Sequence, residues 1–168
     1  MKRLMLDTCA VIDMLVNPDA LGKGAVALLE DPENTLCASF ETMRELVVHF
    51  NNKKLLSRHW KTAEDVIHTV EDDLDIEFRP LRPQVGYTYS RLQLNEEQDH
   101  RDPSDHVIIA HAITEHITLL SSDTRFWYYR NQGLDLNPTS PSNSPCPRPH
   151  SHLTSSSSVA KGYGKGNG

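Results

Sequence analysis

Residues 4–7 read Leu4-Met5-Leu6-Asp7, and residues 117–123 read Ile117-Thr118-Leu119-Leu120-Ser121-Ser122-Asp123. Each is a short apolar run closed by an acid. Runs of this length, bounded by turn-forming residues, predict buried strands instead of amphipathic helices. Between them the apolar spacing changes to a helical period. Ala10 to Val16, and then Leu21, Val26, Leu28 and Leu29, predict two helices. Thr35 to Ala38 predicts a second strand, after which Ser39 is an N-cap for a helix carrying Phe40, Met43, Leu46, Val47 and Phe50 toward a core.

Further along, Trp60 to Val70 predicts a helix and Asp75 to Phe78 a strand. Gln84 to Leu94 predicts another helix, and a strongly marked one begins at Asp102-Pro103. A short helix is expected at Thr124 to Arg130. Strands alternating with helices imply a parallel α/β sheet covered on both faces.

The chain has 168 residues, enough for one compact domain. Composition changes sharply near Pro138, where proline, serine and glycine replace the aliphatic residues. The expected division is a folded domain over 1–137 and a disordered tail over 138–168. No apolar run reaches the roughly 18 residues that would span a bilayer, and Asp7 interrupts the apolar start before a signal segment forms. The expected location is therefore the cytoplasm, away from membranes. Cys9, Cys37 and Cys146 are odd in number and widely spaced, so reduced thiols are expected instead of a disulfide framework or a zinc site.

The formal net charge is −6, and the tail holds three bases and no acid, which leaves 14 bases against 23 acids, or −9, in residues 1–137. Nucleic-acid surfaces are usually basic. Either nucleic acid is not the partner, or acids gather where divalent cations neutralise them.

Four acids suit the second case. Asp7 and Asp123 follow the first and last apolar strands. Glu45 lies in the helix after the second strand, and Asp105 lies in the first turn of the helix that opens at Asp102-Pro103. All four can reach the carboxyl end of one sheet, where open parallel sheets place their functional groups. Phosphodiester hydrolysis needs an activated water, in-line geometry and neutralisation of developing charge, which Mg²⁺ or Mn²⁺ held by carboxylates supplies. Each acid also has a local explanation. Asp102 and Asp105 suit a helix start, Glu45 a solvated helix face, and Asp7 and Asp123 a turn.

Taken together, Leu6-Asp7-Thr8, Met43-Arg44-Glu45-Leu46, His100 to Ala112 (HRDPSDHVIIAHA) and Leu119 to Asp123 followed by Phe126 resemble PIN-domain nucleases, closest to the VapC toxins of bacterial toxin–antitoxin pairs. The resemblance covers nearly all of residues 2–136. It implies a three-layer α/β/α sandwich with a central, mainly parallel sheet. It also implies a Mg²⁺- or Mn²⁺-dependent endoribonuclease, with Asp7 and Asp105 as principal metal ligands and Glu45 and Asp123 completing the site. Thr8 and Ser122 would orient these groups. The implied partners are an RNA substrate, a protein antitoxin and a second copy of the chain. Cys9, Ser104 and His106 depart from the family pattern, which more often has Asn, Phe and Arg there.

Other constellations carry less. His106, His111 and His116 recur every five residues and drift around their helix, so surface or packing roles are expected for them. The basic residues Lys53, Lys54, Arg58, His59 and Lys61 suit a solvated face, or more sharply a rim for an RNA backbone. A Mg²⁺-dependent phosphatase would need a second acid two residues after Asp7, where Cys9 stands. An inactive PIN-like scaffold that binds RNA or protein without cutting is the alternative function.

Overall fold

A computed structural model describes residues 1–139, so the expected tail from residue 140 onward lies outside the described residues. Five parallel strands form one sheet: β1 (Arg3–Leu6), β2 (Thr35–Ser39), β3 (Ile76–Arg79), β4 (Thr118–Ser121) and β5 (Leu136–Pro138), in the order β3-β2-β1-β4-β5. The helices are α1 (Thr8–Val16), α2 (Lys23–Leu29), α3 (Phe40–Asn51), α4 (Ala63–His68), α5 (Pro83–Tyr89) and α6 (Pro103–Glu115). A π turn (Thr69–Asp73) extends α4, and 3-10 segments cover Pro18–Ala20 and Thr124–Gln132. The sheet is parallel throughout, and the expected three-layer arrangement holds.

Strand alternation separates two cores. Leu4, Leu6, Leu36, Ala38 and Leu120 pack with Ala10, Val11, Leu46, Leu55, Val66 and Val70 on one face. Met5, Cys37 and Leu119 face the other way, against Ile108, Ile109 and Ala112 of α6 and against Phe126 and Tyr129 of the last 3-10 segment. Phe50 and Trp60 pack against the first core, whereas Phe40, expected to point toward a core, stands about half exposed. The Trp60 indole Nε1 donates to Thr69 Oγ1 at 2.9 Å.

Helix starts follow the predicted chemistry. Ser39 accepts from the Glu41 amide, and Asp102 accepts from the Ser104 amide with Pro103 at the first position of α6. Two expected helices are shorter: the Trp60–Val70 pattern is helical from Ala63, capped by a Thr62–Asp65 box, and the Gln84–Leu94 pattern stops at Tyr89.

Pro138 lacks an amide donor, yet it does not end the sheet. It pairs with Ser121 on the edge strand β5. Its neighbour Thr139 donates to Ser121 O at 3.1 Å, which leaves the proline nitrogen on the outer side of the edge. Thr139 is buried and its carbonyl accepts from the Gly22 amide at 2.7 Å. The described fold thus runs two residues past the expected boundary.

Cys37 is the expected free thiol, buried, with its pKa pushed up to about 12 by that burial. Cys9 departs from expectation and is disulfide-bonded. Among the described residues, no helix is long and apolar enough to cross a membrane.

Candidate metal centre

The strand order reverses direction between β1 and β4, because β2 and β3 add on one side of β1 and β5 adds on the other. Such a switch opens a crevice at the carboxyl ends of the two strands. Asp7 leaves β1 and Asp123 follows β4 at this point, with the Asp7 amide donating to Leu120 O at 3.1 Å. Asp7 caps α1 by accepting from the Ala10 amide at 2.7 Å, and its other oxygen accepts from Ser121 Oγ at 2.5 Å. Ser121 Oγ in turn accepts from the Asp123 amide at 3.0 Å. One buried hydroxyl therefore joins both strand-end acids.

Asp105 enters from the first turn of α6 and is fully buried. Its Oδ2 lies 2.9 Å from His100 Nε2, and Asp105, Asp123 and His100 bring ligand-type atoms within 4.8 Å of one another. Arg125 crosses this group. Its Nη2 sits 2.5 Å from Asp123 Oδ2 and 3.9 Å from Asp105 Oδ2, with its Nε 3.0 Å from Asp123 Oδ1. Glu45 is linked to Asp7 through the chain: Thr8 Oγ1 donates to Glu45 Oε2 in a very short hydrogen bond.

The predicted residues therefore occupy one edge of the sheet in two linked parts. Asp105 and Asp123 form the compact part with His100. Asp7 joins it through Ser121, and Glu45 joins Asp7 through Thr8. Thr8 makes the kind of orienting bond expected of it. Ser122 does not: its Oγ is buried with no hydrogen-bond partner among the described residues, and Ser121 makes the orienting bonds.

The oxygen-rich donor set fits a hard divalent cation, with Asp7, Glu45, Asp105 and Asp123 as the groups that would hold it.

Sequence reasoning missed His100, Arg125, Tyr129 and Asn95. Only His100 carried a signal, since it lay within the quoted block. Of the surface or packing roles expected for His106 and His111, burial selects packing for both. Burial holds each imidazole below its ordinary range, and nearby His100 adds to this for His106. His111 Nδ1 lies 3.0 Å from Ser39 Oγ, and its Nε2 lies 3.7 Å from Glu115. Arg79 holds Glu115 at 2.8 Å. His116 is exposed and ends α6 in the left-handed conformation.

The basic stretch from Lys53 to Lys61 is not a rim of this centre. It follows α3, whose 12 residues start at the carboxyl edge and run back about 18 Å toward the other edge. A cleft of about 690 Å³ at that opposite edge, lined by Asp31, Glu71, Asp75 and Glu77 among others, is likewise remote from the four acids.

The PIN domain family model matches residues 4–131, a span that contains all four acids. No curated protein matches the chain. Among solved structures, it is similar to a chain of VapBC2 from Rickettsia felis bound to a promoter DNA fragment, with 20% identity, TM-score 0.62, and coverage of 81% of this chain and 98% of that one. A chain of VapBC-1 from nontypeable Haemophilus influenzae shows 20% identity and TM-score 0.57, covering 81% and 97%. DNA-bound VapBC from Salmonella typhimurium gives 19% identity and TM-score 0.56, covering 82% and 98%. These similarities show a shared fold, and the family match over residues 4–131, which hold the four acids, shows that the chain belongs to the PIN domain family.

Proposed function

We propose that the chain is a Mg²⁺- or Mn²⁺-dependent endoribonuclease that hydrolyses RNA phosphodiester bonds and serves as the toxin of a toxin–antitoxin pair. The observation that carries this reading is the convergence of buried Asp105 and Asp123 at the β1–β4 crevice, with Asp7 tied to them by Ser121. Burying several carboxylates together is costly unless a cation offsets their charge.

A bound divalent cation supplies charge neutralisation and an activated water for phosphodiester hydrolysis. The chain's own residues fix the ligands. The Ala10 amide and Ser121 hold Asp7, His100 holds Asp105, and Thr8 holds Glu45. Arg125 is within reach of the same acids and is suited to a phosphate once its carboxylate partners turn to metal.

Cleavage of RNA by the purified full chain in Mg²⁺ or Mn²⁺ tests the proposal. Asp7→Asn and Asp105→Asn should fold, because the amide oxygen can still accept from the Ala10 amide or from His100, yet should lose nearly all cleavage. Undiminished cleavage in both variants would sink the assigned site.

Arg125 also favours a second reading, an inactive or weakly active scaffold, because its guanidinium already offsets part of the acidic charge. A wild-type chain that binds RNA with no metal-dependent cleavage would select it. The partners in the toxin reading are an antitoxin segment that places Arg or Lys among the four acids, and a second copy of the chain. The structural relatives crystallised as VapBC complexes motivate the first. Weaker Mn²⁺ binding in the complex than in the free chain is the expected signature.

A further inference from the structure

His100 belongs to the loop between α5 and α6, is fully buried, and touches both an acid of the centre and a tyrosine of the opposite element. Its Nε2 lies 2.9 Å from Asp105 Oδ2, and its Nδ1 lies 3.1 Å from the Tyr129 hydroxyl. The Asn95 amide donates to Tyr129 Oη at 3.3 Å, so the tyrosine is tied at its far side. An ionised carboxylate can only accept, so Nε2 carries the proton of its bond to Asp105.

The ring is also held by packing. His106 meets it edge-on at 4.8 Å between centroids, Phe126 lies at 5.4 Å and Tyr129 at 5.6 Å. The His100 amide donates to Asn95 O at 3.0 Å, so the loop closes on itself around the tyrosine. Both ring nitrogens are engaged, and three rings limit its rotation.

We propose that His100 is a positioning residue for Asp105: held at Nδ1 by Tyr129 and by the surrounding rings, it donates Nε2–H to Oδ2 and thereby fixes the carboxylate for metal binding. A carboxylate has room for this bond and a metal, because its two oxygens offer about four lone-pair sites. Partners that orient a metal ligand in this way contribute strongly to affinity; their loss typically weakens metal binding about 10- to 100-fold. The inference rests on the metal-centre reading of the proposed function.

Two measurements on the full chain separate the possibilities. Imidazole ¹⁵N spectra of the wild type should show His100 protonated at Nε2. A bare Nε2 would overturn the assignment without any variant being made. In parallel, Mn²⁺ is titrated by calorimetry into wild type, Asp105→Asn, His100→Leu and His100→Gln, each checked for folding by its thermal melt. The expected order is tight binding in wild type, loss in Asp105→Asn, about 10- to 100-fold weakening in His100→Leu, and partial recovery in His100→Gln, whose amide donates from near the Nε2 position.

If wild type and Asp105→Asn bind Mn²⁺ equally, the metal-centre reading fails. If Asp105→Asn loses binding while His100→Leu matches wild type, the positioning role fails alone. Should His100→Leu not fold, Tyr129→Phe carries the test, since it removes the hydroxyl that holds Nδ1, along with the acceptor of the Asn95 amide, and leaves the imidazole in place. Wild-type affinity together with an unchanged His100 spectrum in that variant would overturn the proposal. Nitrogen coupling to bound Mn²⁺ lost in His100→Gln would make His100 a direct ligand, and so also overturn a positioning role.

Discussion

Replacing Arg125 by Gln should move metal binding and RNA cleavage in opposite directions. The guanidinium lies 2.5 Å from Asp123 and 3.9 Å from Asp105, the two acids that would hold a cation. A unit charge about 4 Å from a carboxylate is worth about 4 kcal/mol at an effective dielectric constant of ~20, and about 1 kcal/mol in water. The Arg125 side chain is 31% exposed, so solvent screening draws the value toward the lower part of that range. A competing charge worth about 1.5–2 kcal/mol corresponds to a factor of roughly 10 to 30 in affinity.

The Gln variant should therefore bind Mn²⁺ about 10- to 30-fold more tightly in calorimetry. Without metal its melting temperature should fall, because the carboxylates then repel one another. RNA cleavage should drop despite the tighter metal, with a higher KM, because a phosphate partner has gone. The cap of the last 3-10 segment survives the change, since Asp123 still accepts from the residue-125 amide. Unchanged or weaker Mn²⁺ affinity would refute the idea that this guanidinium competes with the cation.

Ser121→Ala should weaken Mn²⁺ binding and lower stability by about 1–2 kcal/mol in denaturant unfolding, because one hydroxyl serves both Asp7 and the Asp123 amide. A chain ending at Asn137 should melt below one ending at Thr139, because it lacks the two backbone bonds of Thr139. Equal melting of the two shortened chains would show that the end of β5 contributes nothing. For pH, burial holds His111 below its ordinary range, against the opposing pull of Glu115 and with Arg79 and Arg82 adding to the shift. The unfolded chain then takes up a proton that the folded one refuses. Stability is full above pH ~6.5 and is lost as pH falls through the folded value. His111→Asn should flatten melting temperature against pH in that window.

The strands, their order of chemistry and the α6 cap were legible because each depends on a few adjacent residues: an apolar triplet, a turn-forming acid, a proline at the first helical position. The placement of Asp7, Asp105 and Asp123 at one edge was legible for the same reason, since strand ends and a helix start put them there, whereas Glu45, midway along α3, is tied in only through Thr8. What escaped depended on tertiary contact. His100 and Tyr129 are 29 residues apart and meet only after the last 3-10 segment folds back on α6. Arg125 reads in sequence as an ordinary base after a turn, and its span across two acids follows from the β1–β4 adjacency. Ser121 and Ser122 cannot be distinguished by composition. The strand pleat decides between them, turning Ser121 toward Asp7. Pro138 misled because the penalty for proline in a sheet depends on whether the strand lies at an edge, which no local pattern records.

The local and functional explanations of the acids are not competitors in this fold. Asp7 and Asp123 each cap a helical segment through one carboxylate oxygen, while Asp102 takes the equivalent capping role for α6 and leaves Asp105 one turn inside it. Capping fixes the side-chain rotamer of Asp7 and Asp123 at the helix start, and a fixed rotamer is what a metal ligand needs. Helix starts carry partial positive charge that makes gathered carboxylates less costly before any cation arrives. The same positive ends, together with Arg125, account for how an excess of acid can be concentrated at one edge of a stable sheet. A cation then has only part of that charge left to neutralise, so affinity for it should be tuned by replacing the guanidinium without rebuilding the acids.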